Sequence, residues 1–389
     1  MKKLLKFFLG FVAFLFLLLL LIPVFFKDKI KDVIVAEFEK NAEATLYFND
    51  FGLSLLRNFP DFTLSLDRMG VIGTGVFESD TLFQVDELAA TVDLNEVLFG
   101  EELNVKSIAA DGAQITILVL SDGRANYDIA KPSEAIEEES TSSESVSLGL
   151  NAIEITNSEF IFYDQSLAYF MQLDGINLTG EGDFANDIFD LRTQGSIDDV
   201  EVTYDGVDYL HNKSIDLDMV LAMDLPNSEY TFRDNILHVN DFPLAADGSF
   251  SLLDDGFGMD LRFSSPGAEF KQLLSLVPAI YTESFDELET SGSLQFDGSL
   301  NGKYNDTDMP AFTFNLLVND GYFHYPDLPD AVKDVQIDLG IQNPNGIIED
   351  TQVELKQFHM QLGSNPLDAR LILENLRDYR LQAELAGEL

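Results

Sequence analysis

Residues able to do chemistry are sparse and scattered along this chain. His211, His238, His324 and His359 stand far apart, and none has a second histidine at metal-binding spacing. His324 falls inside the aromatic stretch Tyr322 to Tyr325, and each of the four reads as a strand histidine rather than a ligand. Cysteine is absent, which excludes disulfides, thiolate metal sites and a lipid-modified cysteine near the N-terminus. No G-x-S-x-G nucleophile elbow occurs. Gly73-Thr74-Gly75 and Gly256-Phe257-Gly258 lack the third glycine and the following helix that a phosphate cradle needs, so they read as turns.

Carboxylates number 68, so many that proximity of any two carries no information. Asp216, Asp218 and Asp224 share the wet face of one strand, where a calcium site is conceivable. The calcium-loop pattern with its central glycine is missing there and around Asn305-Asp306-Thr307-Asp308, so a solvated face is the better reading. With no tryptophan to form a sugar platform, a glycosidase cleft loses its appeal. The expectation is a chain with no catalytic residues, no metal and no cofactor, and therefore not an enzyme.

Chemistry of a different kind resides in the apolar side chains. Ile215, Leu217, Met219, Leu221, Met223 and Leu225 alternate with Asp216, Asp218, Val220, Ala222 and Asp224. Phe257 to Phe263, Phe312 to Val318 and Val335 to Ile341 repeat the period of two, as do Phe62 to Leu66, Leu88 to Leu94 and Ile115 to Val119 earlier in the chain. Strands with one oily and one wet face imply a mainly β, antiparallel architecture, because buried parallel strands read as continuous apolar runs. Such faces are either the dry core of a sandwich or an open groove.

Few helices are expected. Lys27 to Ala44 reads as a short amphipathic helix, and Ala268 to Tyr281, with Phe270, Leu273, Leu274 and Val277 at helical spacing, as an internal one. Asp111-Gly112, Asn157-Ser158 and Asn319-Asp320-Gly321 each place a turn signal before a strand, suggesting one hairpin motif reused at irregular spacing. Residues 131–147, KPSEAIEEESTSSESVS, form an acidic low-complexity linker. It divides an N-terminal α+β region, 28–130, from a β-rich region, 148–389.

The first twenty-seven residues are set apart as an anchor. The run Phe7 to Phe26 is unbroken and apolar, follows Lys2, Lys3 and Lys6, and has no small-x-small cleavage pattern after it. Twenty helical residues cover roughly the 30 Å hydrocarbon core of a bilayer, longer than the apolar part of a removable signal. Basic residues flank both sides, so orientation rests on the short N-terminal tail and the large body beyond, which favour the N-terminus inside.

Charge narrows the partners. Seven of 23 basic residues precede position 41, leaving 16 against 64 acidic residues after it, a balance of 16 − 64 = −48. Nucleic acid is excluded for want of a basic face, and anionic membrane surfaces are repelled.

An anchor, a short helix, a strand pair from Leu53-Ser54-Leu55-Leu56 to Leu66, then Leu88 to Leu94 and Ile108 to Ile117 closing on Asp122-Gly123-Arg124-Ala125-Asn126-Tyr127-Asp128 resemble the start of AsmA family proteins. The family commonly carries an aromatic residue, usually tryptophan, after that asparagine; Tyr127 is a mild departure. Ser291-Gly292-Ser293-Leu294-Gln295-Phe296-Asp297-Gly298, Met309-Pro310-Ala311-Phe312 and Tyr325-Pro326-Asp327-Leu328-Pro329 resemble the later region of AsmA-like proteins from the Bacteroidetes.

The resemblance implies a single-pass protein of the bacterial inner membrane, with its bulk in the periplasm, working in outer-membrane biogenesis. An elongated, twisted β-groove would hold or conduct the acyl chains of a phospholipid or glycolipid, and Ile215, Leu217, Met219, Leu221, Met223, Phe312, Phe314 and Leu316 are the expected lining. The alternative is a non-enzymatic scaffold or assembly factor for outer-membrane proteins, with envelope proteins as partners. The chain stops at Ala386-Gly387-Glu388-Leu389 in a strand-like segment, so its groove region is expected to be incomplete.

Overall fold

The computed structural model of the chain describes residues 35–36, 38–93, 105–131, 150–253, 255–274, 289–305, 307–324 and 329–387. Its secondary structure is mainly β, with nineteen strands and few short helices among the described residues. The apolar run 7–26 and residues 132–147 lie outside them. Among the described residues, no helix is long and apolar enough to cross a membrane. Two compact units are present, Met1–Ala185 with Glu201–Val207, and Asn186–Val200 with Asp208–Leu389.

In the first unit, β1 (Thr45–Tyr47) and β2 (Asp50–Asn58) both pair antiparallel with β3 (Asp61–Ile72), which pairs with β4 (Thr81–Val92). β5 (Val105–Asp111) and β6 (Gln114–Val119) follow one another along β4. Both run parallel to β7 (Ala152–Asp164), which pairs antiparallel with β8 (Tyr169–Glu181). The expectation of antiparallel strands therefore needs a local correction at β7. Alternation reports that one face is wet, not which way a strand runs, and the long connection from Val119 to Ala152 supplies the crossover that parallel pairing requires.

β9 (Ile188–Tyr204) leads to the strands of the second unit, which form an antiparallel meander. In sequence order these are β10 (Val207–Asp224), β11 (Glu229–Val239), β12 (Phe242–Leu253), β13 (Gly256–Ser264), β14 (Glu289–Tyr304), β15 (Ala311–His324), β16 (Val332–Asn343), β17 (Gln352–Leu362), β18 (Asn365–Glu374) and β19 (Arg380–Gly387), each paired with the next. The four long alternating segments of the sequence are β10, β13, β15 and β16.

The expected hairpin signals are bulges inside strands or, at Gly112, a break between two strands that follow one another. Gly112 (φ 65°) separates β5 from β6, while Asn157 (φ 49°) sits within β7 and Asp320 (φ 52°) within β15. Gly112 and Asn157 fall between the register pairs Asp111↔Thr156 and Gln114↔Glu159, so two neighbouring strands are interrupted at the same level. The interrupted ladder is mended locally. Ala113 N–H donates to Ser158 Oγ at 3.0 Å, and Gly112 N–H to the Thr156 carbonyl at 2.9 Å. Asp111 Oδ1 accepts from Asn157 Nδ2 at 2.7 Å and Thr156 Oγ1 at 2.8 Å, and these bonds hold its carboxyl below the ordinary value. A second crease crosses β14, β15 and β16 at Gly292 (φ 125°), Asp320 and Asp334 (φ 54°). Bulges bend a strand and increase its twist, which curves the sheet at these lines.

The expected helix at Ala268 to Tyr281 is seen as Phe270–Leu274; residues 275–288 lie outside the described part. Helical residues 35–36 and 38–41 fall in the span expected for the N-terminal helix. The core of the first unit gathers Ala44, Leu46 and Val71 with Phe38, Met69 and Phe83. That of the second gathers Phe242, Leu294, Val318 and Val335 beneath Ala268 and Phe270.

Candidate functional site

Residues paired across a sheet point to the same side of it. In the second unit, Leu221 pairs with Phe232, Phe232 with Gly248, Gly248 with Leu261, Leu261 with Leu300 and Leu300 with Phe312. This row crosses six strands, from β10 to β15, and every side chain in it is apolar or absent. The next row inward runs Ala246, Phe263, Gly298, Phe314, Ile341, Val353 and Leu373. Another runs Phe296, Leu316, Leu339, Leu355 and Leu371. Register therefore places Ile215, Leu217, Met219, Leu221, Met223, Phe312, Phe314 and Leu316 on one face of one sheet, although nearly ninety positions separate the two groups.

Aromatic rings knit the middle of the face. Phe296 lies 5.5 Å from Phe263 and 5.1 Å from Phe314 between ring centroids, and Phe250 stacks on Phe257 at 5.3 Å. Beside Phe296 a cavity of about 280 Å³ is walled by Met219, Phe232, Leu237, Leu244, Phe263 and Ala246. The amide of Asn235 in its wall is spent on β12, because Ala246 N–H donates to Asn235 Oδ1 at 2.7 Å and Asn235 Nδ2 donates to the Ala246 carbonyl. The wall is thus apolar despite the asparagine.

Among the described residues, covering is seen at one end. Phe270 and Ala268 sit on Phe242, Leu294, Val318 and Val335, and there the side chains are buried. Along β10 and at Phe312, Phe314 and Leu316 they are only half-buried, and at the far end Leu252 and Phe257 are 47% and 39% exposed.

The opposite face is wet and laced by cross-strand hydrogen bonds. Asn301 Nδ2 donates to Asp260 at 3.2 Å, Asn315 Nδ2 to Asp297 at 2.9 Å, and Gln342 Nε2 to Gln352 at 2.9 Å. Asp218, one of the three aspartates weighed for calcium, accepts from Gln194 at 3.0 Å, and Asp224 closes a turn by accepting from Asn227 at 2.9 Å. Among the described residues no three His, Cys, Asp or Glu side chains are grouped to hold a metal. His359 contacts Asp368 at 2.8 Å on β17 and β18, and His324 lies 3.8 Å from Glu289. A residue passed over in the sequence is Lys213 of β10, buried at 6% exposure, where desolvation pulls its ammonium below the ordinary lysine value. Its only sequence signal is a cation beside an otherwise acid-interleaved strand.

In the first unit, the segment Asp122 to Asp128 is pinned by Asn126, 1% exposed. Its Oδ1 accepts from Leu118 N–H at 2.9 Å and its Nδ2 donates to the Thr116 carbonyl at 2.7 Å. The neighbouring Tyr127 is held outward at 51% exposure. With that turn and the strands around it in place, the family model for the AsmA family matches residues 1–273. The chain belongs to the AsmA family. No curated protein matches it. AsmA family membership and a large β-sheet fold fit a role in the cell envelope.

Proposed function

We propose that this AsmA family protein is an inner-membrane-anchored, periplasmic carrier that holds or conducts the acyl chains of phospholipid or glycolipid during outer-membrane biogenesis. The observation that carries the reading is the apolar row from Leu221 to Phe312, continuous across six strands and half-exposed along much of its course. Water in contact with such a face is costly, and each acyl methylene that displaces it contributes about 0.8 kcal/mol. No specific polar contact is needed, so the function requires no catalytic residue. The acidic, hydrogen-bonded opposite face stays in solvent.

The deciding experiment is mass spectrometry of organic extracts from the protein purified out of the periplasmic fraction, beside a comparably acidic control. Stoichiometric lipid supports the reading, and its loss in Leu217→Asp/Leu221→Asp assigns it to this face. Lipid retained by the double variant counts against the face, and a folded lipid-free protein counts against the function. A second reading, a scaffold for outer-membrane proteins, would be favoured by crosslinks to unfolded barrel precursors in place of lipid.

A further inference from the structure

The first unit has two margins, defined by the ends of its strands. β3 ends and β4 begins at one margin, and β6 and β7 also end there. Gln165 N–H on the carbonyl of Val119 at 2.9 Å ties the β7–β8 turn to that margin, and Asp205 N–H on the carbonyl of Ala168 at 3.0 Å adds the turn between Tyr204 and Val207. The chain arriving from the apolar run 7–26 joins the same margin. Ala42 bridges Ala130, Lys131 N–H donates to the Asn41 carbonyl at 3.0 Å, and Glu43 N–H to the Ile129 carbonyl at 2.6 Å.

Four turns at this margin each present a large apolar or aromatic side chain to solvent, while the tight turn Leu120–Arg124 after β6 exposes Ser121, Asp122 and Arg124. Val76 is 55% exposed, Tyr127 51%, Leu167 61%, and Tyr204 and Val207 48% and 55%. Turns normally carry small polar residues at such places. Here the polar residues are present but serve to hold the apolar ones outward. Asp164 Oδ1 accepts from Ser166 N–H at 2.8 Å and Leu167 N–H at 3.0 Å, fixing Leu167 at its tip, as buried Asn126 fixes Tyr127. Among the described residues of this unit, Phe59 is the one large exposed apolar side chain at the opposite margin.

We propose that this margin rests in the interfacial layer of the bilayer that holds residues 7–26, an inference that depends on the membrane anchorage in the proposed function. Covalent geometry supports it, because the twelve residues from Phe26 to Phe38 reach at most about 40 Å even when fully extended. Tyrosines flanked by aliphatic residues suit the interface, where one end of the ring is apolar and the other wet. Charge selects the surface. Glu43, Glu78, Asp122, Asp128 and Asp205 are exposed at the same margin and outnumber the exposed Lys40, Arg124 and Lys131, so the partner is a zwitterionic headgroup layer, and an anionic one is disfavoured.

The absence of cysteine makes the test direct. Single cysteines replace Val76, Tyr127, Leu167, Val207 or Phe59 in the full chain, carry an environment-sensitive fluorophore, and are reconstituted into phosphatidylcholine vesicles containing a shallow spin-labelled lipid. Labels at the first four positions are expected to shift to the blue and be quenched, whereas the label at Phe59 does neither; replacing part of the phosphatidylcholine by phosphatidylglycerol reduces the quenching. Chain retained on the vesicles after an alkaline wash, with all five labels alike, overturns this inference alone. Chain released by that wash overturns the anchorage and this inference together.

Discussion

At the scale of single residues, backbone conformation and close approach set the strictest demands. Gly248 of β12 has φ 112°, and a Cβ there would lie 1.8 Å from the Asp260 carbonyl oxygen of β13. Gly248→Ala is expected to cost on the order of 2 kcal/mol or more, from backbone strain and from displacement of β13. A drop in the urea midpoint of the second unit with unchanged secondary structure checks this. Asn157 offers the converse case, where the conformation is kept and a partner is lost. Asn157→Gly keeps the left-handed backbone without penalty but removes the amide that most strongly holds the Asp111 carboxyl down. That carboxyl is depressed in the folded state, so its contribution to stability is present above the unfolded carboxylate pKa and is lost as pH falls through the folded value. The expected result is an Asp111 titration displaced upward towards the ordinary carboxylate range by NMR. The stability gap between the two proteins should be greatest near neutrality and should close in acid.

Whole elements were legible wherever period two ran unbroken. β10, β13, β15 and β16 follow from Ile215, Phe257, Phe312 and Val335 and the residues two apart from each, because a half-buried strand writes its two faces into alternate positions. Gly112, Asn157 and Asp320 read as turns in the sequence because turns, strand breaks and bulges share the same positive φ, and only long-range pairing distinguishes them. The apolar lining was visible strand by strand. Its coincidence on one face was not, since an unmatched one-residue slip between β10 and β15 would put Leu221 and Phe312 on opposite sides. Nor did helical spacing around Phe270 announce what the short helix Phe270–Leu274 covers. Phe270, 6% exposed, sits on Leu294 and Val318, exposed at 2% and 0%. Phe270→Ala is expected to cost roughly 3–5 kcal/mol locally and to bare that end of the face, so an apolar dye should bind more brightly while the strand signal in circular dichroism persists. Unchanged dye binding would mean that the cover stays in place without its anchor.

For the molecule as a whole, 68 acidic side chains against 23 basic ones give a net charge of −45, and two opposing effects of salt can be ranked. Screening weakens attractive pairs such as Arg233 with Asp190 and Lys303 with Asp255, but these are largely exposed, and exposed pairs contribute about 0–1 kcal/mol each. Screening also relieves the mutual repulsion of the carboxylates that outnumber their partners, and folding brings these closer than the unfolded chain does. With many unbalanced charges and few pairs, repulsion should dominate, so raising sodium chloride from about 10 mM to about 500 mM, which shortens the Debye length from roughly 30 Å to roughly 4 Å, is expected to raise the thermal midpoint. The rise should flatten once the screening length falls below the spacing between neighbouring carboxylates. A falling midpoint would mean that the ion pairs carry more of the stability than their exposure suggests. On the proposed function, the same field also gives the apolar face its direction of use: anionic headgroups are repelled by the wet side, whereas acyl chains carry no charge to repel, so lipid is met through its tails at the rows from Leu221 to Phe312 and from Ala246 to Leu373, which hold no carboxylate.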